Sequence, residues 1–253
     1  MAEPEVEVFF LTIGRVTAPE IARKNIERAG TAEGQAHFTV DVNGPMPPEV
    51  AKDWLNVEWD AFNQRPENVG IAKAYNDDYR NSSAPYLVFM DDDIEYEQDW
   101  LKDLLGTYKR LMLVPGFRPG QLSIEVGVGI HGGAYLTPPL TITTPRGPVT
   151  VINAGFLFGP RMLHRSRLET VGQFCEEYGL YGSEDCDLCV RLTCAGFKNC
   201  YLTNQHGNNT SKEYADTPEV NQMKADMQKK YNGLYLKNCQ KYLSGDWFIP
   251  HGV

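Results

Sequence analysis

"YLVFMDDDIEY" (residues 86–96) drives an apolar run, Leu87-Val88-Phe89-Met90, straight into three consecutive carboxylates, Asp91, Asp92 and Asp93. Such a run reads as a strand buried on both faces. Ending it on a block of like charge is costly, because adjacent carboxylates repel and ionised groups resist desolvation unless paired or bound to a cation. Two readings follow: a solvated acidic turn, or a site for something positive. On extended backbone alternate side chains share a face, so Asp91 and Asp93 converge while Asp92 points away.

The preceding segments place this strand in a fold. "VEVFFLTIG" (6–14) is another continuous apolar run, closing on a glycine. "TAPEIARKNIERAG" (17–30) follows as a helix, with Thr17 as cap, Pro19 near the first turn and Gly30 as the stop. "HFTVDVNG" (37–44) is a second strand, "NVGIAKAYNDDYRNS" (68–82) a loop leading into a helix, and "PYLVFMDDD" (85–93) the next strand. This alternation is the order expected of parallel strands joined by crossover helices. In such α/β sheets ligands collect at the carboxyl ends of strands, where the acidic block lies.

The middle of the chain differs. Residues 115–160 are rich in Gly, Pro and Thr, with strand-like pieces at "QLSIEVGVGI" and "VTVINAGFLFG", read as extra strands and loops laid over the sheet. "PEVNQMKADMQKKY" (218–231) is a helix with Thr217 as cap and Asn232-Gly233 as the stop, and the tail "SGDWFIPHGV" has no clear structure. No linker divides the chain, so one domain over 1–253 is expected.

Composition narrows the class. Acidic residues outnumber basic ones, 33 to 24, for a net charge of −9, and no run of Lys or Arg stands out. Nucleic acid and anionic membrane are therefore disfavoured as partners. No apolar stretch approaches the roughly 20 residues of a membrane span, and the acidic N-terminus lacks the basic region of a signal peptide, so a cytoplasmic protein is the default. The six cysteines then read as reduced, packed thiols, and the sequon Asn208-Asn209-Thr210 as silent.

The stretch "VINAGFLFGPRMLHRSRLETVGQFCEEYGLYGSEDCDLCVRLTCAGFK" (151–198) resembles the family-2 glycosyltransferases of the GT-A fold. The likeness is carried by Gly155, Arg161, Leu168, Val171-Gly172-x-Phe174, then Gly182-x-Glu184-Asp185-x-Asp187-Leu188-x-x-Arg191-Leu192 and Ala195-Gly196-Phe197. "NVGIAKAYN" and the Asp-x-Asp strand precede it in family order, so the resemblance spans about residues 5–212. "GQFCEE" departs from the usual Gly-Gly-Phe-Asp-Glu, and 115–150 aligns with nothing in the family.

The resemblance implies a GT-A, Rossmann-type mixed sheet flanked by helices. Its nucleotide-sugar half covers about 5–110 and its acceptor and catalytic half about 111–212, with 213–253 as a C-terminal helix and tail. It implies a UDP-, dTDP- or GDP-sugar donor (UDP on frequency), a glycan or other hydroxyl acceptor, Mn²⁺ or Mg²⁺, and inversion at the anomeric carbon. Asp93 is then the first metal ligand, Asp91 serves the metal or the donor's ribose, and His206 completes the site; an imidazole suits Mn²⁺. Thr12, Arg15, Asp41, Asn68, Gly70, Asp91 and Asp92 fall to the nucleotide sugar. Glu184 and Asp185 stand in the first turn of a helix capped by Ser183, flanking its apolar face on opposite sides, so helical geometry does not choose between them. Family pattern makes Asp185 the base and Glu184 an orienting or acceptor-binding group. Asp187 and Arg191, four apart, are set to pair. Two other classes compete: a non-catalytic binding module on the same fold, and a sugar-1-phosphate nucleotidyltransferase. The latter calls for a glycine-rich loop where "LTIGRVTAPE" has only Gly14.

Overall fold

Val6–Thr12 (β1) is buried at all seven positions. Its side chains alternate between two cores: Val6, Val8 and Phe10 enter one apolar cluster, Phe9 and Leu11 another. Tyr86–Met90 (β4) behaves alike, sending Val88 and Met90 to the first and Leu87 and Phe89 to the second. Strands covered on both faces need no polar side, hence the unbroken apolar runs. The computed structural model describes residues 3–16, 18–126, 138–209 and 218–250. Within them β1 and β4 are parallel neighbours inside one ten-stranded sheet.

From β1 the chain passes through Ala18–Glu27 (α1) to Ala36–Val42 (β2), and through Pro48–Leu55 (α2) to Ala61–Gln64 (β3). It then returns through Ile71–Asn81 (α3) to β4, on the far side of β1. These four strands are parallel. The return leaves the carboxyl ends of β1 and β4 side by side at a switch in strand order, where open α/β sheets form their binding crevice.

The rest of the chain runs Ile94–Tyr96 (β5), Trp100–Met112 (α4), Pro119–Val126 (β6), Leu140–Thr144 (β7), Gly147–Asn153 (β8), Arg161–His164 (β9), Ser166–Val171 (α5), Glu184–Cys194 (α6), Lys198–Asn209 (β10) and Pro218–Leu243 (α7). Strand order is β3-β2-β1-β4-β9-β6-β10-β8-β7, with β5 antiparallel to β10. The sheet is thus mixed beyond β4, whose neighbour β9 is antiparallel. Helices cover both faces: α1, α2 and α4 supply Ala22, Trp54 and Leu104 to the first core, while α3, α5 and α6 supply Tyr75, Leu168 and Leu188 to the second. Burying a leucine such as Leu104, Leu168 or Leu188 stabilises by about 1.5–3 kcal/mol.

Several expectations are corrected. β4 stops at Met90, and Asp91–Asp93 form a turn into β5 rather than the end of a strand. The strand pieces of 115–160 do not lie over the sheet; β6, β8 and β7 hydrogen-bond into it. Asn232-Gly233 does not end the last helix, which runs to Leu243. Both residues lie on its exposed side, while Asn238 and Tyr242 beyond them are buried and tie the helix down. The tail is anchored too: Ile249 N–H donates to the Val171 carbonyl at 3.0 Å and bridges Gly172. Gly172 has φ +85°, and a Cβ there would stand 1.6 Å from the Ile249 carbonyl oxygen, so only glycine admits the tail. Thr17, Thr217, residues 127–130 of "QLSIEVGVGI" and Thr210 of the sequon lie outside the described residues. All six cysteines are free.

The anticipated Asp187–Arg191 pair is present, with both side chains wholly buried. Arg191 Nε donates to Asp187 Oδ1 at 2.6 Å, and Tyr178 and Tyr242 donate to Asp187 Oδ2 at 2.9 and 2.7 Å. One carboxylate therefore joins α6 to the loop before it and to α7. Asp187→Ala, which leaves the Arg191 charge buried and uncompensated, is expected to lower the unfolding free energy by about 3–5 kcal/mol. Urea titration followed by far-UV circular dichroism reads this directly.

Candidate active site

The carboxyl ends of β1 and β4 open into a cavity of about 310 Å³. Thr12, Arg15, Asn43, Asn68, Asp91, Asp92, Asp93, Glu184 and Asp185 all line it. The turn carboxylates and the Glu184-Asp185 pair therefore share one cleft, as the functional reading requires.

The turn changes the expected division of labour. Extended alternation does not apply to Asp91–Asp93, so Asp92 does not point away. It accepts from Thr12 Oγ1 at 2.5 Å and pairs with Arg15 Nη1 at 2.9 Å. Arg15 also reaches Asp93 at 3.3 Å, and its carbonyl accepts from the buried Trp54 indole of α2 at 3.2 Å. Asp92 thus ties the β1 loop to the β4 turn. Burial raises its carboxyl to about 6 against the pull of Arg15 and Thr12.

Arg161, on β9, is 3% exposed and connects the two carboxylate groups. Its Nη2 lies 3.5 Å from Asp91 Oδ1, and its Nη1 lies 3.5 Å from Asp185 Oδ2. Nη2 also donates to the Tyr75 hydroxyl at 3.3 Å, which donates in turn to the Met90 carbonyl at 3.1 Å. The guanidinium sits over the Tyr75 ring, 5.6 Å from its centre. A cation fixed this deep lets like charges gather around it.

On α6, Ser183 makes no capping hydrogen bond, contrary to expectation; Asp185 Oδ1 instead accepts from the Cys186 N–H at 2.7 Å. Glu184 is 5% exposed and accepts from the Gly182 N–H at 3.2 Å. Burial, and Asp185 beside it, raise its carboxyl to about 8. The two acids that helical geometry could not separate are separated by their surroundings.

Three expected site residues lie elsewhere. Asp41 is fully buried and outside the cavity lining, with Arg65 Nε donating to both its oxygens, at 3.0 and 2.8 Å. Gly70 is spacing rather than lining: its φ is +91°, and a Cβ there would stand 2.3 Å from the Gly179 carbonyl. Asn68 does face the cavity, its Oδ1 accepting from Gly70 N–H at 2.9 Å; Asn43 beside it accepts from Val69 N–H at 2.9 Å. His206 stands exposed on β10 with its N–H on Glu97, outside the lining, because the neighbouring Gln205 and Gly207 take the inward positions. Among the described residues no three His, Cys, Asp or Glu side chains are grouped to hold a metal alone. Asp91 and Asp93, with 42% and 23% of their side-chain surface open, fit instead a hard cation that takes one or two carboxylates and completes its shell from phosphate oxygens.

Sequence reasoning assigned no role to Arg161, Asn43, Tyr181 or Lys224, all of which line the cavity. A charged residue opening the otherwise apolar "RMLH" strand was a signal for Arg161. Nothing in the sequence marked Lys224, which arrives on α7.

The sequence profile of glycosyl transferase family 2 matches residues 61–121, from β3 to the start of β6. No curated protein matches the sequence. Among solved structures, residues 1–349 of S. aureus TarS in complex with UDP-GlcNAc align with TM-score 0.61 at 11% identity, over 96% of this chain and 71% of that one. The mannosyltransferase PcManGT from Pyrobaculum calidifontis, in complex with GDP-Man and Mn²⁺, gives 0.61 at 15%, over 96% and 75%. GalNAc-T7 with UDP, GalNAc and Mn²⁺ gives 0.56 at 12%, over 81% and 43%. At such identities the likeness is one of fold: this chain has the GT-A fold. Among its described residues no helix is long and apolar enough to cross a membrane.

A carboxyl raised in the folded state costs stability as pH climbs from its unfolded value toward its folded one, because only the unfolded chain releases the proton freely. Glu184→Gln is therefore expected to raise the melting temperature, by an increment that grows between about pH 4.5 and pH 8 and vanishes below that window. Calorimetric scans of both proteins across the range measure it.

Proposed function

We propose that this protein is a glycosyltransferase that moves a sugar from a nucleoside diphosphate sugar to an acceptor hydroxyl with inversion. One observation carries the reading: a single buried guanidinium, Arg161, stands between a turn carboxylate at the switch in strand order and a helix carboxylate across the same cavity. The first group would suit the diphosphate end of a donor through a divalent cation, and the second suits the hydroxyl of an acceptor. The family profile over 61–121 and the nucleotide-sugar complexes among the structural neighbours support it.

Asp185 is the base. Burial, and Asp185 beside it, raise the Glu184 carboxyl and favour its protonated form, which suits it to orient or bind the acceptor. Asp185, with 17% of its side chain open to the cavity, takes the acceptor's hydroxyl proton. The acceptor oxygen then forms a bond to the anomeric carbon while the bond from that carbon to the diphosphate oxygen breaks, and the diphosphate leaves with the electron pair. A divalent cation held by Asp93 and Asp91 would neutralise the leaving charge as a Lewis acid. Arg15 and Arg161 hold these carboxylates in place, and Thr12 and Asp92 fix the loop that carries Arg15. Asn43 and Asn68 form the end of the cavity that fits the nucleoside. UDP is the favoured carrier, present in the complexes of two of the neighbours above, with GDP and dTDP as the other candidates.

Mn²⁺ with UDP-, GDP- or dTDP-sugars should raise the melting temperature for the true donor only, by mass action on the folded state; no shift with any of them overturns the reading. Asp185→Asn should cut kcat by roughly 10²–10⁴ with donor KM little changed. Asp93→Ala should remove the response to metal in the same titration.

A further inference from the structure

Tyr96, on β5, is 1% exposed, and its hydroxyl has no hydrogen-bond partner among the described residues. A buried hydroxyl left without a partner destabilises a fold, and native chains rarely keep one. The rest of the residue is firmly seated. Its N–H donates to Asn25 Oδ1 at 2.9 Å, and its carbonyl accepts from Arg28 Nη1 at 3.0 Å. Its ring packs against Trp100, with centres 5.1 Å apart, and beside Gly207, where a Cβ would stand 3.0 Å from a ring carbon. The hydroxyl is thus built into its place rather than left there by a loose side chain.

That place is behind the wall of the cavity. Ile94 and Tyr96 are buried on one face of β5, while Glu95 turns to Lys24 and Arg28 on the other. Ile94 lines the cavity. Tyr96 pairs with Gly207 of β10, and Gly207 pairs with Val126 of β6, another lining residue. The local charges agree with this position. Burial first, then Asp91 and Asp93, hold the phenol proton well above its ordinary range, with Arg161 opposing. Tyr96 therefore brings a hydrogen-bond donor to the underside of the acidic turn.

We propose that Tyr96 is a positioning residue for the cation site: its hydroxyl donates to the Asp91 carboxylate when Asp91 and Asp93 share a cation. This rests on the reading of the acidic turn as the place where a donor's cation is held. Among the described residues the Asp91 carboxylate meets one hydrogen-bond donor, Arg161 Nη2, at the long distance of 3.5 Å. A carboxylate offers about four acceptor sites, so there is capacity for a second donor. With 42% of its side chain open, Asp91 has room to turn toward Asp93. The move exchanges a long contact for a short, charge-assisted bond from Tyr96. Partners of this kind orient the carboxylates that hold a metal, and their loss weakens metal binding by roughly 10–100-fold.

Tyr96→Phe keeps the ring and deletes the hydroxyl. In calorimetric titration with Mn²⁺, at saturating UDP, GDP or dTDP, whichever binds, the variant should hold Mn²⁺ about tenfold more weakly than the parent. The matching nucleoside, which needs no cation, should bind both proteins alike. Without metal, urea unfolding should find the variant as stable as the parent or more so, since an unpartnered buried hydroxyl has been removed. Unchanged Mn²⁺ affinity, the result expected if an internal water satisfies the hydroxyl, would overturn the assignment while leaving the cation site standing. A loss of stability without metal would overturn it as well, being the mark of a purely structural hydroxyl. A parent protein that binds Mn²⁺ with none of the three nucleotides would reject the cation site itself, and this assignment with it.

Discussion

A guanidinium on a residue only 3% exposed, that of Arg161, holds the functional half of this molecule together. Without Arg161, the acidic turn after β4 and the acidic start of α6 would face each other across a narrow cleft as unrelieved like charge. With it, Asp91 and Asp185 each sit 3.5 Å from the same cation, and neither has to leave the cleft. The sheet makes this possible, because β9 runs antiparallel beside β4 and delivers Arg161 opposite Phe89, one residue before the strand ends. Tyr75 supplies the rest, a ring beneath the guanidinium and a hydroxyl that links it to the backbone of Met90.

Charge relations also separate residues that look equivalent. Glu184 and Asp185 are adjacent, both acidic and both in the cavity lining, yet the first is nearly buried and the second is more open and lies beside Arg161. Asp91, Asp92 and Asp93 are three copies of the same side chain, yet Asp92 ties two loops together while its neighbours stay open to the cleft. Identity of residue type does not set chemical role here; access to water and to a fixed cation does.

β1, α1, β2, α3 and β4 were legible because their apolar runs are long and their punctuation by Gly and Pro is clear, whereas α2 and the short edge strand β3 went unread. The acidic block was legible as a turn or a cation site, and it is a turn that lines the cavity; what was misread is the strand's extension to Asp93 and the alternation drawn from it. Asp41 was assigned to the ligand because a polar residue at a strand's end invites it; only tertiary structure shows Arg65 claiming it. His206 stands outside the lining for a related reason, as one step of register on β10 decides which face a side chain takes. α7 was shortened at Asn232-Gly233, a valid stop signal overruled by the buried anchors at Asn238 and Tyr242. Local chemistry writes the elements plainly, whereas partners brought together from distant parts of the chain leave no local mark.

The length of α7 has a mechanical meaning. Its anchor at Tyr242 and its cavity-facing Lys224 lie eighteen residues apart, about 27 Å along the axis at 1.5 Å per residue. Tyr231 and Asn238 seat on Tyr178 between the two ends, so the helix is pinned at several points rather than pivoting at one. The arm left between Tyr231 and Lys224 is about 10 Å, over which a tilt of about 5° moves the tip by only about 1 Å. The spread of anchors thus keeps the mouth of the cleft in register with the Asp187 hub.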